Sequence, residues 1–232
     1  TVESAEGFED SKLASGYLNA IQLSFPLRSR KVGFGISSSP YTRIAYRVDE
    51  TGTFESEPGA GDTIPYGVTF NGNGGLQKVS AGLGYAPSTA VSIGARADLL
   101  FGLLENVQTT NFISPAFEDG VVAETTRLSG LTGTFGIWYR QTGLLTTAKG
   151  FSAGALLTLP TSLKGQRVVS SGRSGAADTL ATIDVNDVQL PLSGTVSLAY
   201  QQSVRMKFAL DLLYEGWGDV TSDVSFPGQV GD

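Results

Sequence analysis

The stretch VSIGARADLLFG, Val91–Gly102, decides the fold of this chain. Its odd-numbered positions carry Val, Ile, Ala, Ala, Leu and Phe, whereas its even-numbered positions carry Ser, Gly, Arg, Asp, Leu and Gly. Apolar residues at every second position indicate a β-strand, because successive side chains of a strand point to opposite faces. The same alternation is clear in four further segments, which start at Val79, Phe135, Leu190 and Met206. The sequence therefore predicts an all-β protein.

The second face of these strands distinguishes a membrane barrel from a soluble sandwich. A soluble sandwich carries Lys, Glu and Thr on its outward face, but here that face is mostly Gly, Ala and Ser with isolated charges. Glycine contributes 30 of 232 residues, and only 16% of residues are charged, against usual shares of about 7% and about 25%. A smooth apolar face opposite a small-residue face favours an antiparallel transmembrane β-barrel with a ligand-sized interior. A soluble β fold is the alternative.

The composition argues against several classes of function. No stretch approaches the roughly 20 apolar residues of a membrane helix. The chain has no cysteine and no histidine, so thiolate or imidazole metal ligands and Ser-His or Cys-His nucleophiles do not arise. Its net charge of −6 disfavours nucleic acid as a partner. The acidic segment 50–62 is better explained as a solvated loop than as a calcium site. We predict no enzyme activity, no cofactor and no metal site.

The connections between strands alternate between short and long. We predict eight strands, over residues 15–26, 31–48, 66–86, 91–112, 123–140, 150–169, 181–201 and 206–220. The mostly short connections are 27–30, 87–90, 141–149 and 202–205, and the longer ones are 49–65, 113–122, 170–180 and 221–232. Outer-membrane barrels sort their loops in this way, with tight periplasmic turns and longer external loops. This regularity is the most specific signal in the sequence.

Two further features follow from this arrangement. Tyr85, Tyr139 and Tyr200 each end an apolar face just before a short turn, which predicts an aromatic girdle, although coincidence at strand ends is the alternative. If the long loops are external, the chain starts and ends outside the cell. Single-chain bacterial barrels normally keep both termini in the periplasm. We therefore expect residues 1–232 to form one barrel domain that lacks at least one strand at each end.

Several phrases of the sequence resemble the outer-membrane long-chain fatty acid transporters, the FadL-like family. They are GNGGLQKVSAGLGYAP at Gly72–Pro87 followed by Val91–Gly102, the segment Ala20–Tyr46, and the segment Leu190–Asp219 with its Glu215-Gly216-Trp217 ending. The resemblance covers well over half of the chain. It implies a barrel of about 14 strands, within the range of such proteins, of which about eight are visible here. The family's amino-terminal plug and final strands are absent.

The resemblance also implies a function and a location. We expect a multi-pass protein of the Gram-negative outer membrane that takes up hydrophobic small molecules passively, such as long-chain fatty acids. Its partners would then be outer-membrane lipids and a hydrophobic small-molecule substrate. A second hypothesis is a FadL-like barrel that acts as an anchor or shuttle subunit of a secretion or envelope complex, with a protein partner. A soluble lipid-binding β protein is a remote third.

Transporters of the family carry an inward kink in the third strand, through which a lipid-like substrate leaves sideways. The resemblance places this lateral-opening kink at Ser39, Pro40 and Tyr41. Proline cannot donate a hydrogen bond to a sheet, so Pro40 fits a bulge or break. The alternative is that Pro40 marks the point where the strand leaves the membrane. Two other prolines, Pro160 and Pro191, also lie inside predicted strands.

Charged side chains opposite the apolar stripes are predicted to line the lumen. An Arg or Lys on the lipid face would cost about 2–4 kcal/mol near the midplane. Six residues belong to this set: Arg96, Asp98, Arg140, Lys207, Asp211 and Glu215. Arg43 and Arg47 join them if the alternation continues past Pro40. An inward cation could hold a fatty-acid carboxylate, but solvated ion pairs along the lumen are the commoner arrangement.

Overall fold

A computed structural model describes residues 19–27, 31–56, 61–114, 116–142, 150–173, 176–203 and 205–219. Within these ranges the chain is almost entirely β-sheet, with one short 3-10 helix at Trp217–Asp219. No helix among the described residues is long and apolar enough to cross a membrane. The strands are β1 Ile21–Pro26, β2 Val32–Pro40, β3 Ile44–Phe54, β4 Ile64–Tyr85, β5 Val91–Phe112, β6 Gly120–Thr142, β7 Gly150–Thr158, β8 Thr161–Arg173, β9 Ala176–Leu190, β10 Ser193–Ser203 and β11 Met206–Glu215.

These strands form one antiparallel sheet whose neighbours follow the chain order. The main path runs β1-β2-β4-β5-β6-β7-β10-β11, while β3 pairs with β4, and β8 pairs with β6 and β9. The eight predicted strands are therefore present as a meander, but three of them are each broken into two. Over the described residues the two edge strands, β1 and β11, do not pair with each other. The all-β antiparallel prediction is confirmed, and the open sheet is compatible with a partial barrel.

Each break in a long strand lies at a proline. The interruptions follow Pro40, include Pro160 and include Pro191, as expected because proline has no N–H for the ladder. The chain from Pro40 to Ile44 takes four steps while the partner strand takes three, from Gln77 to Gly74. The break between β7 and β8 also adds one residue relative to β6. One extra residue reverses which face each later side chain points to.

Nearby groups satisfy the backbone at these breaks. The Tyr41 N–H donates to the Leu76 carbonyl at 2.7 Å, and the Leu76 N–H donates to the Thr42 hydroxyl at 3.1 Å. At the second break, the Thr132 hydroxyl donates to the Leu159 carbonyl at 2.7 Å, and the Thr161 hydroxyl donates to the Leu131 carbonyl at 2.8 Å. Backbone polar groups that leave the ladder need such partners when they are shielded from water. The breaks are thus built into the sheet.

The breaks divide the sheet into two regions. The belt region comprises residues 21–27, 31–40, 76–85, 91–103, 129–142, 150–159, 192–203 and 205–215, and it ends at the short turns. The projecting region comprises residues 44–56, 61–75, 104–114, 116–128, 161–173 and 176–190, and it ends at the long connections. β4, β5 and β6 run through both regions, whereas the other strands belong to one.

The outer face of the belt region is apolar and exposed. Exposed apolar side chains on this face include Leu23, Phe25, Leu83, Ile93, Leu99, Phe101, Leu131, Phe135, Ile137, Val196, Leu198, Phe208, Leu210 and Leu212. The same face of β5 continues with Glu105, Thr109 and Asn111 in the projecting region. The outer surface therefore changes from hydrocarbon-like to water-compatible along a single strand.

The inner face shows the opposite change. At the boundary between the two regions it carries a layer of buried apolar side chains, at most 5% exposed: Leu76, Leu100, Leu128, Leu163 and Val185. A Cβ atom added to Gly130 would lie 2.5 Å from the Leu163 side chain, so a larger residue there would displace it. We call these five residues the leucine layer. They fill the inner side of the sheet at this level.

Contacts between hairpins hold the far end of the projecting region together. Four aromatic rings, from Phe54, Tyr66, Phe112 and Phe117, pack with centroid distances of 5.3–6.3 Å. They connect the β3–β4 hairpin to the β5–β6 hairpin, and such aromatic pairs stabilise beyond their buried area. An ion pair between Arg173 and Glu118 connects the β8 end to the same group. The projecting region is thus a joined set of hairpins.

Candidate functional site

The inner face of the belt region surrounds a hollow of about 540 Å³. Its lining includes one glycine-rich row from successive strands: Gly33, Gly35, Gly82, Gly84, Gly94, Gly136 and Gly154. Gln22 of β1 and Ser197 of β10 line the same hollow, although they lie near opposite ends of the strand order. The sheet therefore curls so that its small-residue face encloses a common space.

A buried carboxylate lies at the boundary between this hollow and the leucine layer. Asp98 is 1% exposed. The Arg96 Nε atom lies 2.8 Å from Asp98 Oδ1 and donates a 3.1 Å hydrogen bond to Oδ2. The Thr134 hydroxyl donates to Oδ2 at 2.7 Å, and its oxygen lies 3.2 Å from that of Thr158. A buried charge is tolerated only when paired and hydrogen-bonded in this way.

A smaller cavity of about 120 Å³ extends this polar group across the interior. Lys78, Asp98 and Glu215 line it, and the Lys78 ammonium lies 5.7 Å from the centroid of the Tyr41 ring. The Trp217 indole N–H donates to the Glu215 carboxylate at 2.7 Å. Tyr41 follows β2 whereas Glu215 ends β11, so the group bridges distant strands. We call Tyr41, Lys78, Arg96, Asp98, Thr134, Glu215 and Trp217 the polar layer.

The register places the six predicted lumen charges on the same face as the glycines. Arg96, Asp98 and Glu215 meet in the polar layer. Arg140 and Lys207 line a separate cavity of about 280 Å³ near the short turns. Asp211 lies opposite Ser197 in the β10–β11 ladder. The structure thus brings together only some of these residues, and a role for any of them in ligand binding stays a prediction.

The alternation does not continue past Pro40, so the condition for an inward-facing Arg47 is not met. Tyr46 reaches the inner face, where its hydroxyl donates to Asn106 at 3.2 Å, so its neighbour Arg47 points outward. There the guanidinium pairs with Asp49 at 3.1 Å, and the Thr69 hydroxyl donates to the same carboxylate. The extra residue in the break before β3 is the physical reason, because it reverses the alternation. Arg43 lies in the break itself.

The predicted kink at Ser39, Pro40 and Tyr41 coincides with the break between β2 and β3. The backbone beyond it stays bonded to β4 through the Leu76 carbonyl and the β3 ladder. The other two prolines produce comparable breaks in the sheet. Lateral opening at this position stays a prediction.

Sequence patterns missed several members of the polar and leucine layers. Lys78 and Thr134 alternate with the apolar stripes as the predicted charges do, so the same rule could have found them. The small-residue face has three apolar exceptions, Leu76, Leu100 and Leu128. These exceptions are the only indication of the leucine layer in the sequence pattern. Among the described residues, no group of three or more His, Cys, Asp or Glu side chains is placed to hold a metal ion.

The fold and its two surfaces define the class of the protein: an open antiparallel sheet of the outer-membrane barrel type, with an exposed apolar belt. The chain matches the BamG family over residues 1–228, nearly its whole length. It belongs to the BamG family, which is named for the BAM complex. No curated protein matches the chain. No solved structure matches it either.

This match corrects the inferences drawn from the FadL-like resemblance. The chain is not a FadL-like transporter, and passive fatty-acid uptake is wrong as its function. The phrases behind the resemblance, with Gly-x-Gly, a turn proline and aromatic strand ends, are features that barrels share for physical reasons. The family supports an outer-membrane association and a protein partner in an envelope complex, in line with the second hypothesis. It supports neither lipid partners nor a small-molecule substrate.

Proposed function

We propose that this chain is a barrel-forming subunit of the BAM complex, which assembles outer-membrane proteins. The family match over residues 1–228 carries this proposal. Within the complex the chain would act as a membrane-embedded scaffold that contacts other subunits. The absence of cysteine and histidine from the sequence is in keeping with a structural role rather than a catalytic one.

The belt region supports a multi-pass placement in the membrane. On β6 its exposed apolar face runs from Leu131 to Tyr139, which is nine residues. A tilted strand of about 9–11 residues crosses the hydrocarbon layer. The outer-face tyrosines Tyr85, Tyr139 and Tyr200 lie near the short turns, where an interface belt would place them. The projecting region would then stand in water beyond the opposite surface.

The interior supports a scaffold better than a conduit. The leucine layer fills the inner side of the described strands, and Leu163 in it is fully buried. Directly below it, the polar layer bridges from Tyr41 to Glu215. A hydrophobic substrate that moved along this inner face would have to displace both layers. The packing therefore favours a rigid unit.

The proposal is tested with the full-length protein in its own membrane. A tagged copy is extracted in mild detergent, and the co-purifying proteins are identified, with an unrelated tagged outer-membrane barrel as the matched control. We expect BAM subunits with the tagged chain and not with the control. Depletion of the chain should also lower the amount of folded outer-membrane proteins, measured by heat-modifiable gel mobility. Failure to recover BAM subunits, together with normal folding after depletion, would reject the proposal.

A further inference from the structure

The outer edge of β9 is free among the described residues. One edge of β9 pairs with β8 over the length of the strand. On the other side, β11 pairs with β10 as far as Glu215, opposite Ser193, and the Gly216 N–H then donates to the Leu192 carbonyl at 3.1 Å. β9, which precedes β10 and is joined to it through Pro191 and Leu192, lies beyond this point. Its second edge has no neighbour in the part of the chain that the structure describes. A free edge presents N–H and C=O groups to another chain.

This edge is limited in length but otherwise unprotected. Two register shifts in the β8–β9 ladder each place one extra residue on β9, which leaves Ala181–Val185 as a regular stretch of five residues. Proteins usually block free edges with Lys, Pro or bulges. β9 contains no Lys, Arg or Pro, so its bulges confine pairing to this window without closing it. Ile183 is 50% exposed and Leu180 is 68% exposed.

The edge strand itself is acidic, whereas β8 behind it carries Lys164, Arg167 and Arg173. The described residues of the projecting region include eleven acidic and five basic ones, a net charge of −6. β9 itself contributes Asp178, Asp184 and Asp187 with no basic residue. Asp184 is exposed within this stretch, where the Gln166 amide donates to it at 3.3 Å. A complementary partner would therefore be basic, because opposite potentials steer and orient association.

We propose that the Ala181–Val185 edge of β9 binds an extended, Lys- or Arg-bearing segment of a partner protein as an added strand. In strand addition, backbone hydrogen bonds give affinity and alternate side chains give specificity. The basic side chains of the segment would lie beside Asp184 on the outer face. This inference rests on the proposed function, since it names the surface through which the chain meets another subunit.

A second copy of this chain fits the edge poorly. Antiparallel self-pairing about Ile183 would place Asp184 of one copy opposite Thr182 of the other, with the two Asp184 side chains as diagonal neighbours on one face and no cation on either β9. Diagonal neighbours on one face of a strand pair still interact, so this arrangement is unfavourable for two carboxylates. A basic segment removes this repulsion and supplies the missing counter-charge. The charge of the edge thus favours a different protein as the occupant.

Site-directed cross-linking in the intact complex tests the inference. Residues 1–232 contain no cysteine, so Thr182→Cys in the full-length protein gives the single thiol of this stretch for a thiol-linked photo-cross-linker, with the unsubstituted protein as the background for any other thiol. The matched control is Asn71→Cys, exposed on the outer face of β4 in the same region. We expect Thr182→Cys to cross-link to a Lys- or Arg-bearing peptide of another BAM subunit, identified by mass spectrometry. The control should give no such product, and both variants should keep the heat-modifiable mobility of the parent.

Charge substitutions test whether the cross-link depends on the charge of Asp184. Asp184→Lys should reduce the cross-link to the level of the control, and a Lys-to-Glu change in the identified segment should restore it. A cross-link to this chain's own residues, a cross-link to a second copy, or no cross-link in a complex that still co-purifies would overturn the inference alone. Loss of co-purification from the unsubstituted chain would overturn the proposed function, and this inference with it.

Discussion

The belt and projecting regions carry their apolar side chains on opposite faces of the sheet. In the belt region, most large apolar side chains point outward, and the inner face is rich in glycine and serine. From the boundary between the regions onward, the leucine layer points inward, and the outer face of the projecting region carries residues such as Glu105 and Asn111. A sheet needs this inversion if its outer face meets hydrocarbon at one end and water at the other. The comparison shows that one continuous sheet can serve both environments.

The strands achieve the inversion in two ways. β5 is unbroken, so the alternation of its side chains does not change. Instead, its buried or membrane-facing leucines move from the outer face, as at Leu99, to the inner face, as at Leu100 and Leu104. The strands broken at Pro40 and Pro160 gain one residue instead, so that their alternation reverses. The breaks are therefore the places where an amphipathic strand changes phase, which is a structural reason for the prolines.

The largest difference between the regions should come from their inner faces. Leu163→Ala removes a fully buried side chain of the leucine layer, and it should lower the free energy of unfolding by about 2–5 kcal/mol. The matched change Leu213→Ala lies on the inner face of the belt, where Leu213 is 66% exposed. It should cost about 0.5 kcal/mol or less, as for surface substitutions. Both values come from denaturant unfolding in lipid vesicles, and equal losses would contradict the two-region description.

The outer faces should differ almost as strongly. Ala97→Arg places a charge in the middle of the apolar stripe of β5, and in a lipid bilayer it should cost about 2–4 kcal/mol. Asn111→Arg lies on the same face of the same strand but in the projecting region, and its cost should be close to zero. The measurement is vesicle unfolding of the two variants side by side. If Ala97→Arg were as mild as its control, the belt would not lie in hydrocarbon.

The sequence predicts the strands well where alternation is uninterrupted. The predicted strand 91–112 agrees with β5, Val91–Phe112, and the short turn after Tyr85 is found where expected. Periodicity also places Arg96 and Asp98 on one face, because β5 has no bulge. These features depend only on neighbouring residues, so a single segment contains the information.

The misses all depend on contacts between distant segments. The prolines at 40, 160 and 191 were visible, but one extra residue at a break is defined only against the partner strand. That is why the sequence could assign a face to Arg47 only on the condition that the alternation continued past Pro40. The leucine layer joins β4, β5, β6, β8 and β9, and no local pattern shows that its members meet. Register, which sets these contacts, is a property of strand pairs.

The ion pairs of the two regions offer a smaller test. Asp98→Ala removes a buried carboxylate that accepts bonds from Arg96 and Thr134, and it should cost about 1.5–3 kcal/mol, as for hydrogen bonds to charged groups. Asp49→Ala removes the exposed partner of Arg47, and it should cost about 0–1 kcal/mol and less at high salt. Unfolding at low and high salt separates them. A salt-sensitive loss at Asp98 would mean that the polar layer is open to solvent.

The smallest expected effect lies at the boundary between the two regions. The Thr132 hydroxyl donates to the Leu159 carbonyl, just before Pro160. Thr132→Val keeps the shape of the side chain but leaves that carbonyl without its donor, so it should cost about 0.5–1.5 kcal/mol. Thr132→Ser retains the hydroxyl and should stay closer to the parent in the same unfolding experiment.

The stability cost of Thr132→Val also tests whether the sheet can open at the proline breaks. A carbonyl that faces water or a mobile gap finds another partner, and Thr132→Val would then cost nothing. A carbonyl held inside a rigid boundary has no substitute, because Pro160 removes the neighbouring N–H and the Leu159 N–H already donates to Gly133 at 2.9 Å. A measurable loss, rescued by Ser, would therefore place the break among the fixed parts of the sheet and set it apart from a lateral gate.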